Sequence, residues 1–321
     1  MPNAVDLFCG CGGFSLGLRE AGFKPVLAVD IDPDAIKTYK HHFKGVVALQ
    51  SDVGSTAVKD CLAKLRNIDV VVGGPPCQGF SHLNVSHKQD KRNALPLTFV
   101  RLAASVRPRL IVMEQVQTFS SMDGGKVKNQ VICALQKMGY PHYKEGVANA
   151  SHYGAATIRR RYVLVAARSR QDLPLAWPPK PTTSKAKTVR QAWRESKFKG
   201  SDAKLHPTAI PDFVVAKINQ NKDKAKTRFF DHSYKPLLLD QPSPTLSTYS
   251  FAPASGRFSV PTPTGYRRLT ISEAKLIQGF PADFYFMQPE GPLSHRTKAY
   301  QQIGNSVSPR VAAAIGRSLL R

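Results

Sequence analysis

The N-terminal half of the chain alternates short apolar runs with stretches of helical periodicity. "AVDLF" (4–8), "PVLAVD" (25–30), residues 68–72 and "RLIVME" (109–114) read as strands. Their Val, Leu and Ile residues follow one another instead of alternating with polar ones, as in strands covered on both faces. Between them, "FSLGLREAG" reads as a helix stopped at Gly22. A second helix has Asp32 as cap, Pro33 at its first position and Ala35, Ile36, Tyr39 and Phe43 on its apolar face. This alternation predicts an α/β fold: a doubly wound, mostly parallel sheet with helices on both faces. Such sheets take ligands beyond the carboxyl ends of their strands.

The pattern breaks after about residue 168. Residues 171–266 are rich in Pro, Ser, Thr and Lys, and runs such as "WPPKPTTSKAK" and "NKDKAKTR" read as loops and solvated basic surface. Phe213, Val214, Val215, Leu237 to Leu239 and Tyr249 supply core material for a small second domain. Order returns with "RRLTISEAKLIQGFP" at 267–281, where Thr270 and Glu273 form a capping box. A last helix has Ser308 as cap and Pro309 as opener. The expected organisation is a catalytic domain over 1–170, a loop-rich domain over 171–266, and a return to the first over 267–321.

Charge narrows the partner. There are 46 Lys and Arg against 22 Asp and Glu, a net charge of +24. An excess that large points to a polyanion, although a basic surface tuned for solubility is the plainer alternative. Five cysteines without a repeated C-x-x-C pair fit a reducing compartment and give no zinc spacing, so no metal is expected. No apolar run reaches a membrane span and the first twenty residues lack a signal-peptide layout, so no membrane partner is expected. The expected location is the cytoplasm with the nucleoid, or the nucleus in a eukaryote.

Three places carry chemistry. "CGCGG" after the first strand is a tight turn whose glycines let backbone amides approach a ligand, and Asp30 at the end of the next strand can accept both hydroxyls of a ribose. The turn departs from the G-x-G-x-x-G dinucleotide fingerprint, which suits a nucleoside cofactor without a pyrophosphate, such as S-adenosylmethionine. Asp52 in "QSDV" reads equally as an adenine contact or a helix cap. In "VVVGGPPCQGFSH" (70–82), two prolines stiffen the chain just before Cys77 at the mouth of the sheet. Cys77 reads as a positioned nucleophile or as a small buried hydrophobe. Glu114 ends an apolar strand at the same edge, where partial desolvation suits a proton donor. In "IRRRYVLVAA", Arg159 and Arg161 are two apart, so on one strand they share a face that can bind a base carbonyl and a phosphate.

In order, "DLFCGCGGFS", "VLAVDID", "SDV", "GGPPCQGFS", "MEQV", "YGAATIRRR", "RRLTISEAKLIQGFP" and "QQIGNSVSP" resemble the motifs of the cytosine-C5 DNA methyltransferase family. The resemblance spans most of the catalytic domain. It implies Cys77, Glu114, Arg159 and Arg161 as catalytic residues. It implies a site for S-adenosylmethionine built from Phe8, Gly10, Gly12, Gly13, Asp30, Ile31, Asp52, Val53, Pro76, Leu95, Asn305, Ser306 and Val307. It implies DNA contacts by Ser81, Lys88, Lys91 and Arg92, with residues 82–98 closing over a flipped base, and target recognition within 171–266. The partner is then double-stranded DNA, met by a monomer. RNA on the same fold is a rival substrate, and a non-catalytic DNA-binding protein a rival function.

Two segments depart from the family pattern. Gln115 stands where the family has an Asn expected to hold the cysteine loop, and Ala156-Thr157 stand where it has Pro-Gln.

Overall fold

The computed structural model describes residues 1–76, 94–196, 210–221, 234–246, 257–287 and 293–320. In chain order its elements begin with β1 (Asn3–Leu7), α1 (Gly13–Glu20), β2 (Lys24–Asp30), α2 (Pro33–His42), β3 (Val47–Gln50), α3 (Thr56–Lys64) and β4 (Ile68–Gly73). There follow α4 (Leu95–Ser105), β5 (Leu110–Val116), α5 (Lys126–Lys137), β6 (His142–Asn149), β7 (Thr157–Ile158) and β8 (Arg160–Ala167). The remainder is α6 (Val189–Glu195), α7 (Asp212–Asn221), β9 (Ser243–Pro244), β10 (Val260–Thr262), β11 (Gly265–Arg267), α8 (Ile271–Gln278), α9 (Leu293–Asn305) and α10 (Pro309–Leu319).

These elements form two compact units. The first takes residues 1–149, 160–182 and 306–321 and holds a seven-stranded sheet in the order β3-β2-β1-β4-β5-β8-β6. β3, β2, β1, β4 and β5 run parallel, while β8 lies antiparallel between β5 and β6. The α/β, mostly parallel sheet is therefore as the sequence predicts. Val70, Val71 and Val72 of β4 are fully buried, because helices cover both faces of the strand.

Chain direction reverses beside β1: β2 follows on one side and β4 lies on the other. Leu7 pairs with Gly73, and Gly73 with Met113, so the chain leaves β1, β4 and β5 at one sheet edge. That edge is where an open α/β sheet binds its ligands.

Local signals decide the helix ends. Asp32 accepts from the amides of Asp34 and Ala35 and caps α2, with Pro33 at its first position. α1 ends in a left-handed Gly22 (φ 100), and the Phe23 amide reaches back to the Leu18 carbonyl. A Cβ on Gly17 would lie 2.4 Å from the Pro309 carbonyl, so glycine is what lets α10 pack against α1. Ser308 occupies the cap position of α10, but its side chain makes no capping bond.

The second unit takes residues 150–159 and 183–305. Its limits differ from the expected domain boundaries: it includes 150–159, resumes only at 183, and keeps 267–305. Short ladders hold it, β7 with β9 and β10 with β11. Thr270 and Glu273 form the expected capping box on α8. Val214 and Leu237 are buried and Val215 packs beside Val214, but Phe213 and Leu238 are 53% and 61% exposed, contrary to their expected place in the core. Tyr249 lies outside the described residues.

Candidate active site

β5 carries Glu114 to the edge where β4 ends. The Glu114 carboxylate is 8% exposed as a residue and its Oε1 lies 3.0 Å from Nε of Arg161, which enters from the neighbouring strand β8. Burial pulls the Arg161 guanidinium below its usual range, and the Glu114 charge opposes that shift. Beside this pair, the buried Gln115 donates through Nε2 to the Pro75 carbonyl at 2.6 Å. A Cβ on Gly74 would come within 3.2 Å of Glu114 Oε2. Glycine at that position thus admits the carboxylate, and Gln115 fixes the proline turn two residues before Cys77. Gly73 is equally constrained, since a Cβ there would lie 2.4 Å from the Leu7 carbonyl and 2.6 Å from Phe99.

The glycine turn occupies the adjacent strand end. Phe8 (φ 66) and Gly10 (φ 52) are left-handed, and Gly12 (φ 97) meets the rings of Phe43 and Tyr39 so closely that a Cβ would clash at 2.5 Å. Asp30 organises the turn: Oδ2 accepts from the Gly10 amide at 2.7 Å and Oδ1 from the Asp32 amide at 2.9 Å. Burial raises the Asp30 carboxyl above its usual range, against these two amides. Each carboxylate oxygen retains further acceptor capacity, which suits vicinal hydroxyls. A Cβ on Gly10 would meet nothing within 4 Å, and Ile31 is 67% exposed. The turn thus offers an open backbone face, an acid and an apolar side chain, which fit a nucleoside.

The model of the family described as C-5 cytosine-specific DNA methylase matches residues 3–321. The chain belongs to that family. It is 30% identical to the type II methyltransferase M1.HphI of Haemophilus parahaemolyticus over 99% of this chain and 86% of that one. It is 31% identical to the type II methyltransferase M.XorII of Xanthomonas oryzae pv. oryzae over 100% of this chain and 85% of that one. A crystal structure of an E. coli prophage-encoded protein, described as a DNA modification methyltransferase, superposes with a TM-score of 0.76. It is 27% identical and covers 99% of this chain and 98% of that one.

As a C5 methylase, the protein brings together Phe8, Gly10, Gly12, Gly13 and Asp30 at the turn, and Pro76, Glu114 and Arg161 at the neighbouring strand ends. Asp52 is exposed and its Oδ1 accepts from the Gly54 amide at 2.7 Å. It does not cap α3, which Ser55 does. Val53 is buried and Leu95, opening α4, half-buried. Ser306 and Val307 belong to the first unit and lead into α10, whereas Asn305 is the exposed last residue of α9 in the second. Cys77, Ser81, Lys88, Lys91 and Arg92 lie outside the described residues.

The shared face expected for Arg159 and Arg161 is not formed. β7 ends at Ile158 and β8 begins at Arg160, so Arg159 falls between the strands. Its buried guanidinium donates within the second unit, to the carbonyls of Leu246 at 3.3 Å and Gly304 at 2.9 Å. Thr157, the departure two residues earlier, is fully buried and donates to the Pro244 carbonyl at 3.1 Å.

Sequence reasoning missed a buried cluster beneath the turn. Ser15 donates to Asp6 Oδ2 at 2.7 Å, and the Tyr39 hydroxyl donates to Ser15 at 2.8 Å. Its signal was the single acid inside the apolar run "AVDLF". Burial raises the Cys9 and Cys11 thiols, the latter to about 12, which disfavours the thiolate at both. Among the described residues no helix is long and apolar enough to cross a membrane.

Proposed function

We propose that this methylase transfers a methyl group from S-adenosylmethionine to C5 of a cytosine flipped out of double-stranded DNA, through a covalent bond between Cys77 and C6. The observation that carries this reading is the ion pair of the buried Glu114 with the partly buried Arg161, set beside a proline turn that Gln115 fixes two residues before Cys77.

C5 of cytosine is a poor nucleophile while the ring is aromatic. Attack of the Cys77 thiolate on C6 breaks the aromaticity and moves an electron pair towards C5. Glu114 donates a proton or hydrogen bond to N3, and Arg161 holds the O2 carbonyl, so charge developing on the ring is neutralised. The Glu114–Arg161 contact uses only part of the guanidinium's five donors. The turn from Phe8 to Gly13 and Asp30 would hold S-adenosylmethionine, whose sulfonium would supply the methyl group to C5 and leave as the neutral thioether. A base, taken to be water, removes the C5 proton, and the electrons of that bond expel the Cys77 sulfur. Arg159, spent on two carbonyls, acts here as a positioning residue.

A stacked base cannot reach these groups, so it leaves the helix at a cost of roughly a few kcal/mol. The basic stretch 82–98 closes over it, and residues 171–266 choose the target. The test is a duplex carrying 5-fluorocytosine at the target, where the missing C5 proton blocks elimination. The wild-type protein is expected to stay covalently attached in the presence of the donor, and Cys77→Ser to release the DNA. Trapping by the serine variant would contradict the assignment.

A further inference from the structure

Asp6 ties the strand that enters the glycine turn to the helix that leaves it. It lies in β1 at 1% exposure, Ser15 lies in the first turn of α1, and Tyr39 reaches the same hydroxyl from α2. The Tyr39 and Phe43 rings also press on Gly12, so the chain and the turn share one packed unit. The proposed reaction does not use this acid. We propose that Asp6 makes the donor site discriminate by charge, favouring the cationic sulfonium of S-adenosylmethionine over the neutral thioether that remains after transfer.

This rests on the donor reading given above and adds a specificity-determining group to it. A negative charge held in a dry setting acts at longer range than one in water, because little solvent screens it. Burial pushes the Asp6 carboxyl up to about 7, with the Ser15 hydrogen bond opposing and the Asp30 charge adding to the rise. The titratable groups around it are Asp30 from β2, Cys9 and Cys11 from the turn, and Tyr39 from α2. Burial holds the two thiols and the phenol protonated near neutral pH. Asp6 and Asp30 are then the groups in this cluster left to carry charge, and Asp6, the more deeply buried of the two, is the one raised to about 7. A cation at the turn favours its ionised form, and that form favours the cation, by reciprocal linkage.

The test is calorimetric titration of the intact protein with S-adenosylmethionine and with S-adenosylhomocysteine between pH 6 and 8. In the wild type, affinity for the first relative to the second is expected to rise roughly three- to tenfold across that range. In Asp6→Asn, the ratio should change only as the ligands' own amino groups dictate, and Tyr39→Phe should keep the wild-type rise. If Asp6→Asn does not fold, proton release on binding the sulfonium by the wild type, absent for the thioether, carries the same information. A wild-type ratio as flat as the ligands' titration alone overturns the proposal while leaving the donor reading intact. Failure of both ligands to bind overturns the donor reading, and this inference with it.

Discussion

Glu114 and Gln115 are adjacent in β5 yet do different work. Replacing Glu114 by Gln keeps the shape but leaves the partly buried Arg161 without its counter-charge. Stability should fall by about 1–3 kcal/mol, and methyl transfer by at least a hundredfold in single-turnover assays. A variant that transferred at the wild-type rate would remove Glu114 from the mechanism. Gln115→Ala strips the Pro75 carbonyl of its donor inside the core, a loss of about 1–3 kcal/mol in denaturant unfolding. Donor affinity should hold while the chemical step slows, because the variant loosens the cysteine turn and not the glycine turn. Asp6 predicts a pH effect on stability itself. A carboxyl raised from 3.8 to about 7 in the folded state binds a proton that the unfolded chain has lost. Stability should therefore fall as pH rises from about 4 to 7, by roughly 4 kcal/mol, and Asp6→Asn should abolish that fall. Urea midpoints across pH measure it. The sequence made Glu114 and Asp30 legible because each ends an apolar run. Asp6 sits inside such a run, and its partners Ser15 and Tyr39 are found only when two helices fold onto it.

At the scale of elements, the sheet was readable because its strands are continuous β-branched and aliphatic runs separated by strong stops. Asp32-Pro33 and Thr270-x-x-Glu273 marked helix starts correctly, since a cap is a local device that needs no tertiary partner. Arg159 and Arg161 were misread because strand parity holds only within one strand, and the chain breaks between β7 and β8. Phe213 and Leu238 were misread because apolar type alone does not say which side of a short helix or loop faces inward. The second unit also takes 150–159 and 267–305, although the sequence pattern breaks only over 171–266, because packing joins segments that are distant in the chain. The close approach of β1 and β4 gives a direct test. Gly73→Ala would place a methyl 2.4 Å from the Leu7 carbonyl at the edge where both ligand turns begin. It should destabilise the fold by about 1–3 kcal/mol and weaken donor binding and transfer together. Thermal unfolding paired with calorimetry measures both, and an unchanged protein would mean that the edge is looser than described.

For the whole molecule, family membership rests on a match from residue 3 to 321, and a net charge of +24 suits a phosphate-bearing partner. Each phosphate contact releases a counterion, so DNA affinity should fall linearly on a log–log plot against salt. Neutralising Lys222, Lys224 and Lys226 should flatten that slope without changing which cytosine is modified. The product defines the reaction. Plasmid DNA incubated with the purified protein and S-adenosylmethionine, then sequenced after bisulfite treatment, tests it most directly. Cytosines are expected to be protected at every occurrence of one short sequence, with no protection by Cys77→Ser or without the donor. Unprotected DNA from a protein that binds both donor and duplex, or methyl groups found only in RNA, would contradict it.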